Sequence, residues 1–155
     1  MDTIRFTIPL APRGQKRTDR RAFILKGRGK GGKDIARVHS FKGGDQRLEE
    51  DKLLALIFDH RPPEPIEGPI CLTVRAYLPI PASKSKKWKA AALAGEVRPT
   101  TKPDCSNMVK HLEDIMQGVF FRDDKEIVNL IVEKWYGEPA RWEINLKMCD
   151  TKNEK

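Results

Sequence analysis

The chain opens on alternation. In Thr3–Ile8, TIRFTI, apolar side chains recur at every second position, which predicts a strand, and Pro9 and Pro12 end it. AFIL and ARVHSF flank KGRGKGGK (Lys26–Lys33) and predict a hairpin around a flexible Gly/Lys loop. The period changes in Gln46–His60. Leu48, Leu53, Leu56 and Ile57 make an apolar stripe and predict a helix, which RPPEPIEGP breaks. ICLTVRAYLPI returns to a period of two, with Cys71, Thr73, Arg75 and Tyr77 on one face and Leu72, Val74, Ala76 and Leu78 on the other. SKSKKWKAAALAGE predicts a brief basic helix. Ser106–Val119 predicts the clearest helix, with Ser106 as N-cap, Gly118 as terminator and Met108, Leu112, Ile115 and Val119 facing a core. EIVNLIVEKWY and RWEINLKM predict two antiparallel strands joined by GEPA. The order predicts an α+β fold: a single domain over residues 1–155, a mixed β-sheet and two main helices packed on it, with a frayed tail near 150–155.

Composition adds a partner class. The chain is 39 % hydrophobic and 34 % charged, with a formal net charge of +8. Residues 1–110 hold 23 Lys/Arg against 12 Asp/Glu, whereas residues 111–155 hold 7 against 10. A basic body attracts a polyanion, and an acidic focus holds a cation. The plainer reading is a set of solvated basic faces. From Arg13 to Lys42 eleven Lys/Arg face only Asp19 and Asp34, so this stretch reads as a surface loop or as an arm that contacts phosphates. GKGGK does not fit the phosphate-loop pattern. Trp88 among lysines reads as an anchor to the core in preference to a base-stacking residue. No apolar run approaches the roughly 18–20 residues of a membrane span, and MDTIRFTIPL lacks the form of a secretory signal. Cys71, Cys105 and Cys149 are odd in number and widely spaced. They predict neither a zinc site nor a disulfide framework, and a cytoplasmic, reducing setting.

The chemistry concentrates in KPDCSNMVK (Lys102–Lys110) and FRDDKEIV (Phe121–Val128). Asp104 stands before a predicted helix, and Asp123 and Asp124 stand before a predicted strand. A compact fold can set two such element starts side by side. Gathered carboxylates repel unless protonated or bridged by a cation, and Mg²⁺ takes oxygen ligands. Lys110, one turn into the helix, would reach a phosphate. The plainer reading makes these aspartates caps of a loop and a turn.

TTKPDCSNMVKHLEDIMQGVFFRDDKEIVNLIVEKWYGE, with TIPLAPRGQKR and LPIPASKSKKWKAAALAGEVRPTTKPD, resembles the RusA family of Holliday-junction resolvases, common in phages and prophages. The family pattern runs approximately K-P-D-x-D-N-x-x-K, then a helix with D-A-L-N-G, then D-D-x-x-V and a strand. The resemblance implies an α+β homodimer that cuts branched DNA, a four-way junction, with Mg²⁺ or Mn²⁺. It implies Asp104 and Asp124 as catalytic and metal-holding residues and Lys110 as the catalytic lysine. Asn107 matches the motif asparagine and Asp114 the aspartate within the helix. Asp123, Ser106 and Asp114 complete the candidate metal set. Lys16, Arg17, Lys30, Lys33, Lys86, Lys87, Lys102 and Asn107 are the candidate DNA contacts. Ser106 stands where the family has its middle aspartate. Three readings follow: Ser106 ligates through water; Glu113 or Asp114 compensates; or the protein binds junctions without cutting them.

Overall fold

A computed structural model describes residues 3–15, 19–41 and 44–149. The elements are β1 (Ile4–Ile8), β2 (Asp19–Leu25), β3 (Ile35–Phe41), α1 (Gly44–Ile57), β4 (Ile70–Leu78), α2 (Lys86–Leu93), α3 (Cys105–Met116), β5 (Ile127–Tyr136) and β6 (Arg141–Met148). Short 3-10 turns lie at Lys30–Gly32, Phe58–His60 and Asp124–Glu126. The fold is α+β, with a mixed four-stranded sheet ordered β1-β6-β4-β5. Three α-helices accompany it: the two main helices expected, α1 and α3, and the brief basic helix, α2.

The chain divides into two compact bodies, residues 1–15 with 52–155, and residues 16–51. In the smaller body β2 and β3 form the expected antiparallel hairpin, from Asp19 opposite Phe41 to Leu25 opposite Ile35. Its loop carries its own hydrogen bonds: Gly27 N–H donates to Asp34 Oδ1 (2.9 Å) and Gly29 N–H to the Lys33 carbonyl (2.7 Å).

In the larger body β4 is central and shows the predicted faces. Ile70, Leu72, Val74, Ala76 and Leu78 are buried, and the residues between them are not. Ile70, Leu72, Val74 and Ala76 meet Trp142, Ile144 and Leu146 of β6, Phe6 and Ile8 of β1, and Met108, Leu112 and Met116 of α3 in one core. Ile115 and Val119 pack at its margin. Of the stripe expected on α1, Leu53 and Ile57 are buried, but Leu48 and Leu56 are exposed.

Two expectations are corrected. β5 and β6 run antiparallel but are not neighbours; β4 lies between them, parallel to β5 and antiparallel to β6. The GEPA loop crosses the end of β4, where Gly137 N–H donates to the Leu78 carbonyl (3.0 Å). A Cβ at Gly137 would collide with Tyr77, so the crossing requires glycine. Second, Cys71 and Cys149 form a disulfide, with Cα atoms 5.4 Å apart. The β4–β6 register sets Ile70 opposite Met148, and Cys149 N–H donates to the Pro69 carbonyl, which brings the two sulfurs together across 78 residues of sequence. Cys105 is the free thiol. Among the described residues no helix is long and apolar enough to cross a membrane.

Candidate functional site

α3 carries one half of the site. Its N-cap is Asp104, in extended conformation (φ −78°, ψ 151°), and not Ser106. The helix thus begins two residues earlier than Ser106 as N-cap predicts, and Ser106 is exposed in its first turn. The Asp104 side chain makes no capping hydrogen bond. Its carboxylate is therefore not committed to the helix end, which it nonetheless faces as a favourable charge. The loop before it is fixed from a strand: Lys134 Nζ donates to the carbonyls of Thr101 (2.7 Å) and Pro103 (3.1 Å). The helix stops at Met116, and Gly118 takes the left-handed conformation (φ +76°) that the turn after it needs.

That turn delivers the other half. Phe120 and Phe121 are fully buried. The Phe120 carbonyl accepts from Ile66 N–H (2.9 Å), and Arg122 N–H donates to the Ile66 carbonyl (3.1 Å). Asp123 then caps the short turn at Asp124–Glu126. Its side chain accepts from Lys125 N–H (3.1 Å), while Glu126 Oε2 accepts from Asp123 N–H (3.3 Å), a reciprocal capping box. The Lys125 N–H bond holds the Asp123 carboxyl below its usual range, with help from the Lys125 ammonium at 3.3 Å. Asp123 is thus occupied by local structure, and Asp124 is the exposed member of the pair.

The two halves influence each other electrostatically at Glu113. Its carboxyl is pushed above the usual range by burial first, and then by the charge of Asp124; Lys110 opposes the shift and Asp114 adds to it. Lys110 Nζ lies 3.6 Å from Asp114 Oδ1, one helical turn on. Asp114 in turn accepts from Gln15 Nε2 (2.7 Å). Asn107 grips the same segment: its Nδ2 donates to the Gln15 carbonyl (3.2 Å), and its carbonyl accepts from Gln15 N–H (3.4 Å). A Cβ at Gly14 would collide with the Asn107 amide, so this close approach needs glycine. Asn107 and Asp114 therefore anchor the residues that lead into the basic stretch.

Among the described residues no three His, Cys, Asp or Glu side chains are grouped as a ready metal site. The chemistry of the donors nevertheless suits a hard divalent cation. Asp104, Glu113 and Asp124 each offer only oxygen, and between Glu113 and Asp124 there is the repulsion that a cation relieves. Glu113 folds best as the protonated acid, so its contribution to stability is complete at low pH and lost as pH rises through its elevated pKa. Glu113→Gln is accordingly expected to raise the melting temperature at pH 7, with the gain vanishing below the usual carboxylate range. Metal-free thermal melts across pH check this.

The basic candidates are spread. Lys86 and Lys87 are exposed on the first turn of α2, which Ser85 caps, and Lys102 is exposed beside Asp104. Lys30 and Lys33 are exposed on the hairpin loop of the smaller body. Lys16 and Arg17 lie outside the described residues, as does the tail from 150 on. Trp88 is half-buried with its ring 5.3 Å from that of Tyr136, as an anchor would be. Sequence reasoning missed Lys134 and Gln15. The signal for Lys134 was a lysine at an inward position of an alternating strand, between Val132 and Tyr136. Gln15 gave none.

The RusA endodeoxyribonuclease family matches residues 49–147, a span that includes α3, the FRDD turn and β5. The uncharacterized protein YqaN of Bacillus subtilis (strain 168) is 33 % identical over 149 residues, covering 95 % of this chain and 97 % of that protein. With the family match extending over more than half of its length, this chain belongs to the RusA endodeoxyribonuclease family.

Proposed function

We propose that the chain is a metal-dependent, structure-selective endodeoxyribonuclease that resolves four-way DNA junctions by paired nicks, in DNA recombination and repair. It works as a homodimer with Mg²⁺ or Mn²⁺. What supports this reading is the electrostatic influence of both Lys110 and Asp124 on Glu113, which links α3 to the FRDD turn. Asp104 and Asp124 would hold the ion, and Glu113 would supply the carboxylate that Ser106 lacks. When bound, the ion neutralises phosphate charge and makes water a stronger nucleophile. Lys110, with its ammonium exposed, donates to a phosphate oxygen on which charge develops. Asp114, held by Gln15, orients that lysine. Lys86, Lys87 and Lys102, with Lys16, Arg17, Lys30 and Lys33, bind the junction arms through phosphates and make affinity fall steeply with salt.

The test is cleavage of synthetic junction, duplex and single-stranded DNA with and without divalent metal. Nicking confined to the junction and abolished by chelator is expected. Tight junction binding without cutting in either metal overturns the reading in favour of a non-catalytic junction binder, which the exposed Ser106 would then explain.

A further inference from the structure

The acidic turn is held from behind by a short strap, residues 66–69. Ile66 exchanges backbone hydrogen bonds with Phe120 and Arg122. Two residues on, Gly68 N–H donates to Glu126 Oε1 (3.2 Å), and the other oxygen of that carboxylate closes the capping box on Asp123 N–H (3.3 Å). The carbonyl of the next residue, Pro69, accepts from Cys149 N–H (2.8 Å), and the Cys71–Cys149 disulfide ties the end of β6 to β4. The strap thus has the candidate aspartates on one side and the disulfide on the other. The disulfide also stands where the ladder is irregular. Ile70 lies opposite Ile127 and Cys71 opposite Asn129, so Val128 is an extra residue with no partner in β4. Such an irregularity interrupts the ladder. The start of β5, which follows the acidic turn, is therefore not clamped to β4 by regular pairing. A covalent bond across 78 residues of sequence fixes this corner instead. Both cysteines are only half-buried, within reach of a reductant.

We infer that this disulfide is a redox-sensitive brace for the acidic turn. Closed, it holds Gly68 against Glu126 and so fixes Asp123 and Asp124. Opened, it loosens the turn and lowers its affinity for a divalent cation, a consequence that rests on the metal site of the proposed function. A dithiol opens it. One thiolate of the reductant attacks Cys149 Sγ, and Cys71 leaves as a thiolate, which is favoured by the positive charge of Lys147, opposite Cys71 in the ladder. The second thiol of the reductant then displaces Cys149. The two cysteines gain two electrons and two protons, and the reductant is left as its own disulfide.

The test compares the full chain in its oxidised and dithiol-reduced forms, with free thiols counted by mass after alkylation in denaturant. One thiol, Cys105, is expected in the oxidised form and all three in the reduced form. On reduction, backbone hydrogen exchange is expected to quicken by more than about tenfold at Gly68, Asp123 and Lys125, while Val74 and Ile144 in the β4–β6 ladder keep their protection. Mn²⁺ affinity, measured by titration without DNA, is expected to fall about tenfold, the lower end of the loss when outer support of a metal site is removed. The double variant Cys71→Ser, Cys149→Ser should match the reduced form. Glu126→Ala cuts the link between strap and turn, so its Mn²⁺ affinity should not respond to the dithiol. Three free thiols after mild oxidation overturn the inference. So does exchange that quickens equally everywhere, which makes the disulfide a general stabiliser. Unchanged exchange at the turn, or Mn²⁺ binding equally tight in both forms, removes the brace and leaves the nuclease reading. Faster exchange at the turn in a chain that binds no Mn²⁺ in either form removes the metal site and leaves the brace.

Discussion

Asp124→Asn is expected to abolish junction nicking in Mg²⁺ while junction affinity in chelator stays within about threefold of wild type. The substitution keeps the shape of the side chain and removes its charge. Asp124 is exposed and contributes no side chain to the core, so the fold tolerates the change. Losing an anionic ligand to the ion takes several kcal/mol of transition-state stabilisation with it, which is about a thousandfold or more in rate. Lys110→Ala should cost about a hundred- to a thousandfold, the scale of a single oxyanion donor. Asp123→Asn serves as the internal contrast. The Asp123 carboxylate is already committed to a capping box and to Lys125, so the effect on cleavage should be far smaller. Single-turnover cleavage of a labelled junction, read beside a binding titration in chelator, checks all three. Equal losses for Asp123→Asn and Asp124→Asn would mean that the turn matters as a shape and Asp124 as nothing more.

Phe121→Ala is expected to be the most damaging change outside the chemistry. The ring is fully buried between the turn after α3 and the segment around Ile66, in the core that also holds Phe120 and Met116. Truncating a buried phenylalanine costs about 3–5 kcal/mol, through lost transfer energy and the cavity left behind. For a chain of this size that corresponds to a fall of roughly 6–20 °C in melting temperature. Cleavage should fall as well, at temperatures where the variant is still folded, because Phe121 stands three residues before Asp124 and fixes where the turn emerges. Leu56→Ala, on the exposed side of α1, should change stability by less than about 1 kcal/mol. Thermal melts and cleavage at low temperature separate the two effects.

The contrast between Phe121 and Leu56 also shows what the sequence made legible. Period-two alternation read the faces of β4 correctly because one side of that strand is wholly buried. The stripe of α3 was legible for the same reason. On α1 the same reasoning overcounted: Leu48 and Leu56 belong to the pattern but not to the core, since periodicity reports which side an apolar residue is on and not whether anything covers it. β5 and β6 looked like a hairpin because a four-residue loop separates them. Nothing local distinguishes that loop from one that crosses a third strand, and only the pressure of Gly137 on Tyr77 reveals the crossing. The disulfide was hidden for a related reason, since 78 residues separate two cysteines that only the β4–β6 register aligns. In the site, Asp104, Lys110 and Asp124 were legible as a motif. Their supports were not, because Gln15 reaches Asp114 across 99 residues and Lys134 reaches Pro103 across 31.

The place of β6 in the sheet bears on timing. Among the described residues it is the last strand, yet it lies between β1, the first, and β4. Until residues 141–148 insert, β1 has no partner in the sheet, and the core on which α3 rests lacks Trp142, Ile144 and Leu146. Contacts this distant in sequence form late. The acidic turn precedes that strand and is made before it, but it has no finished surface to sit on. Along the chain, the groups proposed to act on DNA therefore come before the strand that completes the platform beneath them.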